Sequence, residues 1–217
     1  MTLPRQVLPN STVLVTRRAL RRHQLFAPDK VLCKYYLYTL GLCARHHGIL
    51  IHAVVLMSTH EHLVLTDTRG ALPDFMRDFH RLVALGTKIL RKWEGAVWDH
   101  ERPSVVRLLT AEAIIEKIAY CIVIPIAAGL VRHAKQWPGV TTDVGALAGR
   151  TVRIKRPAVY YASSNPDWPE EIELSLTLPP ALLCGRTRDE VRLIIGQEQA
   201  RQEKIARRDA PHSKANA

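Results

Sequence analysis

The alternation of apolar and polar positions divides the chain into short strands and longer amphipathic helices. Four segments are rich in β-branched residues or alternate in polarity, which predicts strands at 11–16, 49–57, 61–67 and 104–109. Three segments carry apolar residues at helical spacing, which predicts helices at 29–47, 71–95 and 110–124. We expect the third helix to end at Pro125, because proline lacks a backbone donor.

The order of these elements, β-α-β-β-α-β-α, predicts an α+β fold with a ferredoxin-like unit. That unit is a four-stranded antiparallel sheet with two helices on one face, here followed by an extra helix. The unit closes near Gly149, so we divide the chain into a domain at 8–149 and a C-terminal extension at 150–217. The extension holds strand-like pieces at 151–155 and 171–178, a final amphipathic helix at 188–208 and a frayed tail.

The charge indicates a polyanionic partner. Lys and Arg number 31 against 20 Asp and Glu, a formal net charge of +11, and such an excess is typical of nucleic-acid-binding proteins. Two groups of basic residues are candidates for phosphate contacts. One lies between the first strand and the first helix, and the other shares one face of the second helix: Arg17, Arg18, Arg21 and Arg22, then Arg77, Arg81 and Lys88. The alternative is a solvated basic surface without a partner.

Several protein classes are disfavoured. The amino end lacks an apolar core of signal-peptide length, and the longest apolar runs fall short of the ~20 residues of a membrane span. Four scattered cysteines show no zinc or disulfide spacing. We therefore expect a cytoplasmic protein without a membrane partner.

The segment VVLMSTHEHLVL at 54–65 carries two histidines, one residue apart, in a predicted strand. Side chains at i and i+2 of a strand share a face, so His60 and His62 project together while Glu61 points the other way. Two imidazoles can bind one divalent ion, zinc or manganese more readily than magnesium. They would leave positions open for phosphate oxygens and water. The alternative is a pair of edge-strand histidines without a function.

The third predicted helix contributes a candidate nucleophile, Tyr120. A tyrosine hydroxyl can attack a phosphodiester and form a covalent phosphotyrosine when a metal polarises the phosphate. The alternative is a core aromatic, which is the commoner role for tyrosine on an apolar helix.

These motifs, in this order, resemble the HUH single-tyrosine transposases, most closely the bacterial REP-associated tyrosine transposases. HAVVLMSTHEHLVL resembles the family strand that ends in Met-x-Asn-His-x-His-Leu. GAVWDHERPSVV is similar to a family segment, Gly-x-x-Trp-x-x-Arg, and AYCIVIPIAAGLV resembles Tyr-Ile-x-x-Asn-Pro-x-x-Ala-Gly-Leu-Val. The resemblance runs through most of residues 8–145.

The resemblance implies a ferredoxin-like fold and a nuclease acting in DNA transposition and recombination. It implies that His60 and His62 bind a divalent ion, Mg²⁺ or Mn²⁺, and that Tyr120 is the nucleophile. The implied reaction cleaves and rejoins single-stranded DNA at or beside a hairpin, with a 5′-phosphotyrosine and a free 3′-hydroxyl. Some relatives form homodimers. Six further histidines match no catalytic motif of the family, and we interpret them as structural: His46, His47, His52, His80, His100 and His133.

This chain departs from the family pattern at four places. Ile124 stands where the family usually has Asn, and Thr59 replaces the Asn before the first histidine. Glu61 stands in place of an apolar residue, and Ile126-Ala127 in place of Val-Arg. Because Ile124 cannot bind a metal, a second hypothesis is a non-catalytic DNA-binding module descended from such a transposase. A third, an unrelated metallohydrolase, needs further ligands that the sequence does not offer.

Overall fold

A four-stranded antiparallel sheet forms the centre of the protein in a computed structural model, which describes residues 6–149 and 151–209. The strands of this sheet are β1 (Ser11–Arg18), β2 (Ile49–Leu56), β3 (His60–Asp67) and β4 (Ser104–Arg107). They run in the order β2-β3-β1-β4, which confirms the ferredoxin-like α+β prediction. Two further strands, β5 (Thr151–Lys155) and β6 (Glu171–Ser175), lie outside this sheet. The α-helices are α1 (Lys30–His47), α2 (Leu72–Arg91), α3 (Ala111–Ala127) and α4 (Arg188–Asp209).

The alternation of side chains along the strands produces two apolar cores, one on each face of the sheet. Val13 and Val15 of β1 face the layer that contains α1 and α2. Leu14 of β1 and Val64 of β3 face the layer that contains α3 and α4. The sheet is therefore covered on both faces, with the two predicted helices of the ferredoxin-like unit on one and the tyrosine-bearing helix on the other.

Local sequence signals account for the bounds of α1. The Asp29 carboxylate accepts a hydrogen bond from the Leu32 N–H at 2.8 Å, which satisfies one of the free donors at the helix start. Gly48 ends the helix in the left-handed conformation, with φ of 69°, which glycine adopts without a Cβ penalty. These two signals account for where α1 begins after β1 and where it ends before β2.

The prediction that α3 ends at Pro125 was wrong, because the helix continues to Ala127. Proline in the last turn removes a single N–H donor and leaves the later residues free to close the helix. The Ala128 N–H donates to the Ile124 carbonyl at 2.9 Å, and the Leu130 N–H donates to the Pro125 carbonyl at 3.1 Å. The backbone carbonyls at the end of the helix therefore have hydrogen-bond donors from residues after the proline.

The segment after residue 150 contacts both layers. β5 and β6 form a two-stranded sheet beside α1, where Ile172 packs against Gly41. α4 lies along α3. The division at residue 150 stays a prediction. The frayed tail was expected at 209–217; Asp209 belongs to α4 instead, and 210–217 lie outside the described residues.

None of the helices in the described parts of the chain combines the length and apolar character that a membrane span requires. The most apolar of them, α3, packs against the sheet through Ile118 and Ile122. Its apolar residues are therefore explained by burial inside the protein.

We expect Gly86→Ala to destabilise the protein by about 1–3 kcal/mol, the usual cost of overpacking a core. Gly86 of α2 lies directly under the Tyr35 ring of α1, so a Cβ there would overlap the ring. Tyr35 cannot easily move away, since its hydroxyl donates to the Leu82 carbonyl at 2.6 Å. Chemical denaturation would measure the change.

Gly196→Ala in α4 is the matched control, because an added Cβ there would meet open space. Alanine is the better helix former, so this variant should be more stable by about 0.5–1 kcal/mol. Equal effects of the two substitutions would contradict the packing of α1 against α2.

Stability should fall between pH 6.5 and pH 4 because of His52, which occupies a β-bulge in β2. Its Nδ1–H donates to the Thr177 carbonyl and its Nε2 accepts from the Thr66 hydroxyl, both at 2.8 Å. Burial lowers the pKa of His52 to about 4. In this pH interval the unfolded chain binds a proton at His52 and the folded chain does not. The free energy of unfolding therefore falls by up to roughly 3 kcal/mol as the pH falls.

His52→Gln removes the titrating group and keeps a donor and an acceptor. Its free energy of unfolding should depend less on pH than that of the wild type over this interval, measured by urea denaturation at pH 7 and pH 5. The other histidines contribute equally to both proteins. Parallel pH profiles would exclude His52 as the cause.

Candidate active site

The two histidines of β3 lie on the α3 face of the sheet, side by side. Their ring centroids are 5.0 Å apart. In the pairing of β1 with β3, Thr16 lies opposite His62 and Arg18 lies opposite His60. The alternation predicted for His60, Glu61 and His62 is therefore present, with both imidazoles on one face and the carboxylate on the other.

Each of these imidazoles forms a hydrogen bond at Nδ1 with a threonine hydroxyl. Thr16 Oγ1 lies 2.8 Å from Nδ1 of His62, and Thr59 Oγ1 lies 2.9 Å from Nδ1 of His60. Within the described residues, neither Nε2 has a hydrogen-bond partner. An outer partner on one ring nitrogen orients the ring and leaves the other nitrogen to bind a metal. Thr59, which replaces the family Asn, thus orients the first histidine.

The electrostatic surroundings keep both imidazoles neutral at pH 7. Burial and then the charges of His60 and Arg18 lower the pKa of His62 to about 4. Burial and then the charges of Arg18 and Arg22 lower the pKa of His60. Neutral imidazole is the form that binds a metal ion. The two histidines therefore fit a divalent ion, although no cluster of three or more His, Cys, Asp or Glu side chains occurs in the described parts of the chain.

Tyr120 of α3 lies beside this pair. Its ring centroid is 5.5 Å from that of His62, and the rings meet edge to face at 87°. The tyrosine is 39% exposed, although it belongs to a largely buried helix. The helix therefore presents this phenol to solvent next to the imidazoles, and the structure brings all three sequence-predicted residues together.

Sequence reasoning missed Lys117, one turn before Tyr120 on the same helix. Its ammonium group lies 5.5 Å from the centroid of the Tyr120 ring and 2.7 Å from the Glu116 carboxylate. A cation over an aromatic ring is attracted to the ring face. Lys117 could have been predicted from its i, i+3 spacing to Tyr120, since residues three apart on a helix share a face.

Ile124 lines the contact between α3 and α4. A cavity of about 290 Å³ lies there, lined by Tyr120, Ile124, Ile205, Ala206 and other residues of both helices. Ile124 is 7% exposed. An apolar residue at this position is explained by the packing of α4, which the sequence did not place.

The prediction that Arg17 and Arg18 lie between the first strand and the first helix was wrong, because β1 continues to Arg18 through its pairing with β3. Alternation then separates them. Arg18 is exposed on the His60 face, and Arg17 lies on the opposite face, where its guanidinium carbon is 5.0 Å from the Trp98 ring centroid. Arg21 and Arg22 follow, exposed, in a short 3-10 turn at Leu20–Arg22.

Glu61 and His80 form a buried polar pair on the α1–α2 face, directly behind the histidine pair. The fully buried Glu61 carboxylate accepts from Tyr36 Oη and from Nε2 of His80, each at 2.7 Å. Burial lowers the pKa of His80. Arg17 lies close enough for its charge to act on both groups. His80, interpreted from the sequence as structural, thus contacts the residue between the two candidate ligands.

The basic residues of α2 are not brought to this site, because α2 covers the opposite face of the sheet. Arg77 is paired with Asp74 and Asp78. Arg81 is exposed, and Lys88 lies 3.5 Å from the Glu94 carbonyl oxygen. Their contact with DNA stays a prediction.

Comparison with known proteins supports the resemblance at the level of fold. No model of a known protein family matches the chain, and no curated protein matches it. Among solved structures, it is similar to a REP-associated tyrosine transposase bound to a REP hairpin, with a TM-score of 0.56 and 16% identity over 68% of this chain and 86% of that one. The chain has the fold of that transposase. A proposed transposase from Deinococcus radiodurans R1 overlaps with a TM-score of 0.39 and 20% identity, over 55% of this chain and 95% of that one.

The two adjacent imidazoles with free Nε2 atoms lead to a prediction about metal binding. Mn²⁺ should bind the wild type, and His62→Ala should abolish binding because one of two imidazole ligands is lost. Thr16→Val removes only the hydroxyl at Nδ1 and should weaken the affinity about 10-fold. The loss of the free Mn²⁺ signal in electron paramagnetic resonance titrations would measure both.

His100→Ala is the control, since His100 is an exposed histidine outside the pair. Mn²⁺ affinity should be unchanged in this variant. Unchanged affinity in His62→Ala would exclude the β3 histidines as ligands.

Proposed function

We propose that this protein is a transposase-like nuclease that cleaves and rejoins single-stranded or hairpin DNA through Tyr120. One observation carries the proposal: an exposed tyrosine lies 5.5 Å, centroid to centroid, from one of two adjacent neutral imidazoles. Structural packing alone does not require a phenol, two imidazoles and unpaired ring nitrogens on one polar surface. Cleavage of a phosphodiester by a tyrosine nucleophile with the help of a metal ion would use all of them.

In the proposed reaction, the Tyr120 oxygen attacks the phosphorus of a DNA phosphodiester. The bond from tyrosine to phosphorus forms and the bond from phosphorus to the 3′ oxygen breaks. The phenol loses a proton and the departing 3′ oxygen gains one. The products are a 5′-phosphotyrosine and a free 3′-hydroxyl, whose attack on the same phosphorus would rejoin the strand.

The two imidazoles would hold the divalent ion through Nε2, since Thr16 and Thr59 occupy Nδ1. Such an ion, when bound, polarises the phosphate and orients it for attack. The donor set of two neutral imidazoles suits Mn²⁺ better than Mg²⁺. Their lowered pKa values mean that protons do not compete with the ion at pH 7.

The surrounding cations support a DNA substrate. Arg18 and Arg22 lie near His60, and Lys117 lies over the Tyr120 ring. These groups would neutralise phosphates on both sides of the attacked bond. The net charge of +11 adds a favourable long-range field. The solved transposase of the same fold was bound to a REP hairpin, which is the substrate we propose here.

The site is formed within one chain, because Tyr120 lies beside His62 of the same molecule. Cleavage by a monomer is therefore sterically allowed, and a homodimer stays an expectation from the family resemblance alone. We propose action in the cytoplasm, where DNA substrates of such enzymes occur.

The second candidate function is DNA binding without cleavage. Ile124 favours it, because this apolar side chain faces the α3–α4 cavity and cannot provide a third metal ligand. The exposed cations would still bind phosphates. A covalent-adduct experiment separates the two functions.

We expect the wild type, mixed with Mn²⁺ and a labelled hairpin from palindromes flanking its gene, to form a protein–DNA adduct that survives denaturing electrophoresis. Tyr120→Phe should abolish the adduct because the attacking oxygen is removed. His60→Ala should reduce it at least 100-fold, since a phosphate-polarising ion contributes several kcal/mol to such a step.

Tyr160→Phe is the matched control, because Tyr160 packs against Trp168 in the C-terminal extension, away from the histidines. It should form the adduct as the wild type does. If the wild type binds the hairpin in a salt-sensitive manner yet forms no adduct, the nuclease function is excluded and DNA binding without cleavage is supported.

A further inference from the structure

The carboxylate of Glu61 lies among apolar side chains, directly behind the histidine pair. Leu63 and Leu65 share its face of β3 and are fully buried there. Leu56 of β2 lies beside it in the pairing of β2 with β3, and Glu61 itself is inaccessible to solvent. A carboxylate in such a place has a cost in free energy, and a well-packed apolar residue often gives equal or greater stability. The packing of the sheet therefore does not explain the charge at this position.

The hydrogen bonds of Glu61 satisfy its oxygens without cancelling its charge. Tyr36 Oη and Nε2 of His80 each donate at 2.7 Å, and burial lowers the pKa of His80, so both donors are uncharged at pH 7. Arg17 lies opposite Glu61 in the pairing of β1 with β3 but forms no salt bridge with it among the described residues. Because Arg17 is only half-buried, water screens its charge more than that of the carboxylate. A net negative charge therefore remains behind the strand.

The histidines on the other face of β3 have no carboxylate beside them. In the parts of the chain that the structure describes, no group of three or more His, Cys, Asp or Glu side chains occurs. The charges of Arg18 and Arg22 disfavour a positive charge at His60, whereas the charge of Glu61 favours one. A divalent ion at the imidazoles would experience these charges in the same sense. Glu61 thus opposes the repulsion that the neighbouring arginines would exert on the ion.

We propose that Glu61 stabilises a divalent ion at His60 and His62 by its charge, from the opposite face of β3 and without binding the ion. The proposal rests on the metal-dependent step of the proposed function and adds a residue that supports it. A carboxylate ligand on the α3 face would occupy a coordination position. A charge behind the strand leaves that position open for phosphate oxygens and water. Glu61 is a positioning residue and not a catalytic one, since it reaches neither the ion nor the substrate.

Titration of the full-length protein with Mn²⁺, followed by electron paramagnetic resonance, tests this role. Glu61→Gln removes the charge and keeps the size of the side chain and one oxygen acceptor. Its affinity for Mn²⁺ should be about 10-fold lower than that of the wild type. The difference should persist in concentrated salt, because salt screens a buried charge much less than an exposed one.

Arg17→Met should change the affinity in the opposite direction. Methionine keeps an unbranched apolar stem next to the Trp98 ring, where the guanidinium now lies, and it removes the positive charge. Mn²⁺ should therefore bind this variant about 3-fold more tightly than the wild type. A purely structural role of the buried network predicts no gain in affinity. Arg17→Met also decides the question should Glu61→Gln fail to fold, since unchanged or weaker binding in this variant would contradict the proposal.

Gly86→Ala is the control for stability. Its added Cβ would disturb the packing of α1 against α2 at the Tyr35 ring, while Glu61 and its two donors are unchanged in the sequence. The affinity of this variant for Mn²⁺ should stay within about 2-fold of the wild type. A loss as large as that of Glu61→Gln would mean that the helix layer, and not the charge, determines the affinity.

Two further results would overturn the role of Glu61: equal Mn²⁺ affinity of Glu61→Gln and the wild type, or no binding of Mn²⁺ by the wild type. These results are separable from the adduct experiment. If the wild type binds Mn²⁺ in a manner that depends on Glu61 but forms no adduct, the nuclease function is lost and the role of Glu61 is kept. If the wild type forms the adduct while Glu61→Gln binds Mn²⁺ equally well, the nuclease function is kept and the role of Glu61 is lost.

Discussion

The placement of the candidate site depends on the burial of one carboxylate, Glu61. A buried charge is costly unless hydrogen bonds and opposite charges surround it. Here Tyr36 of α1 and His80 of α2 both donate to it at 2.7 Å, so the carboxylate is satisfied only when both helices are docked on the sheet. Because Glu61 lies between His60 and His62, these hydrogen bonds also attach β3 to α1 and α2 at the position of the histidines. The position of the histidines on the α3 face of β3 is thus linked to the docking of α1 and α2 on the opposite face.

This arrangement also separates charge by face. The buried carboxylate and Arg17 lie on the α1–α2 side. On the α3 side, Arg18, Arg22 and Lys117 surround two neutral imidazoles and an exposed phenol. Within the described residues no carboxylate is hydrogen-bonded to either imidazole, although Lys117 is paired with Glu116. In the proposed function, a phosphodiester would supply negative charge to these cations. The local positive field would then favour an anionic substrate before any base is recognised.

The sequence predicted the parts of this site that depend on short-range periodicity. Alternation along β3 placed His60 and His62 on one face, and the order of strands and helices predicted the sheet and the position of α3 as the extra helix. The pairing of residues far apart in the chain could not be predicted from the sequence. Arg17 and Arg18 look equivalent in the sequence, and only the register of β1 against β3 shows that they lie on opposite faces. The role of Thr16 at His62 arises from the same pairing, between residues far apart in the chain.

The departure at residue 124 has a physical explanation once α4 is in place. Val123, Ile124 and Ala127 face Ile205 and Ala206 across the α3–α4 cavity, and an asparagine amide at position 124 would be buried there without an assured partner, at a cost of about 1–3 kcal/mol. An apolar residue is therefore what the docked C-terminal helix requires. Ile124 by itself is weak evidence for the loss of activity, because packing accounts for it. Two imidazoles without a third side-chain ligand leave more coordination positions for phosphate oxygens and water. In the proposed function, affinity for an ion and affinity for DNA would therefore depend on each other, since the substrate itself would supply ligands that the chain does not.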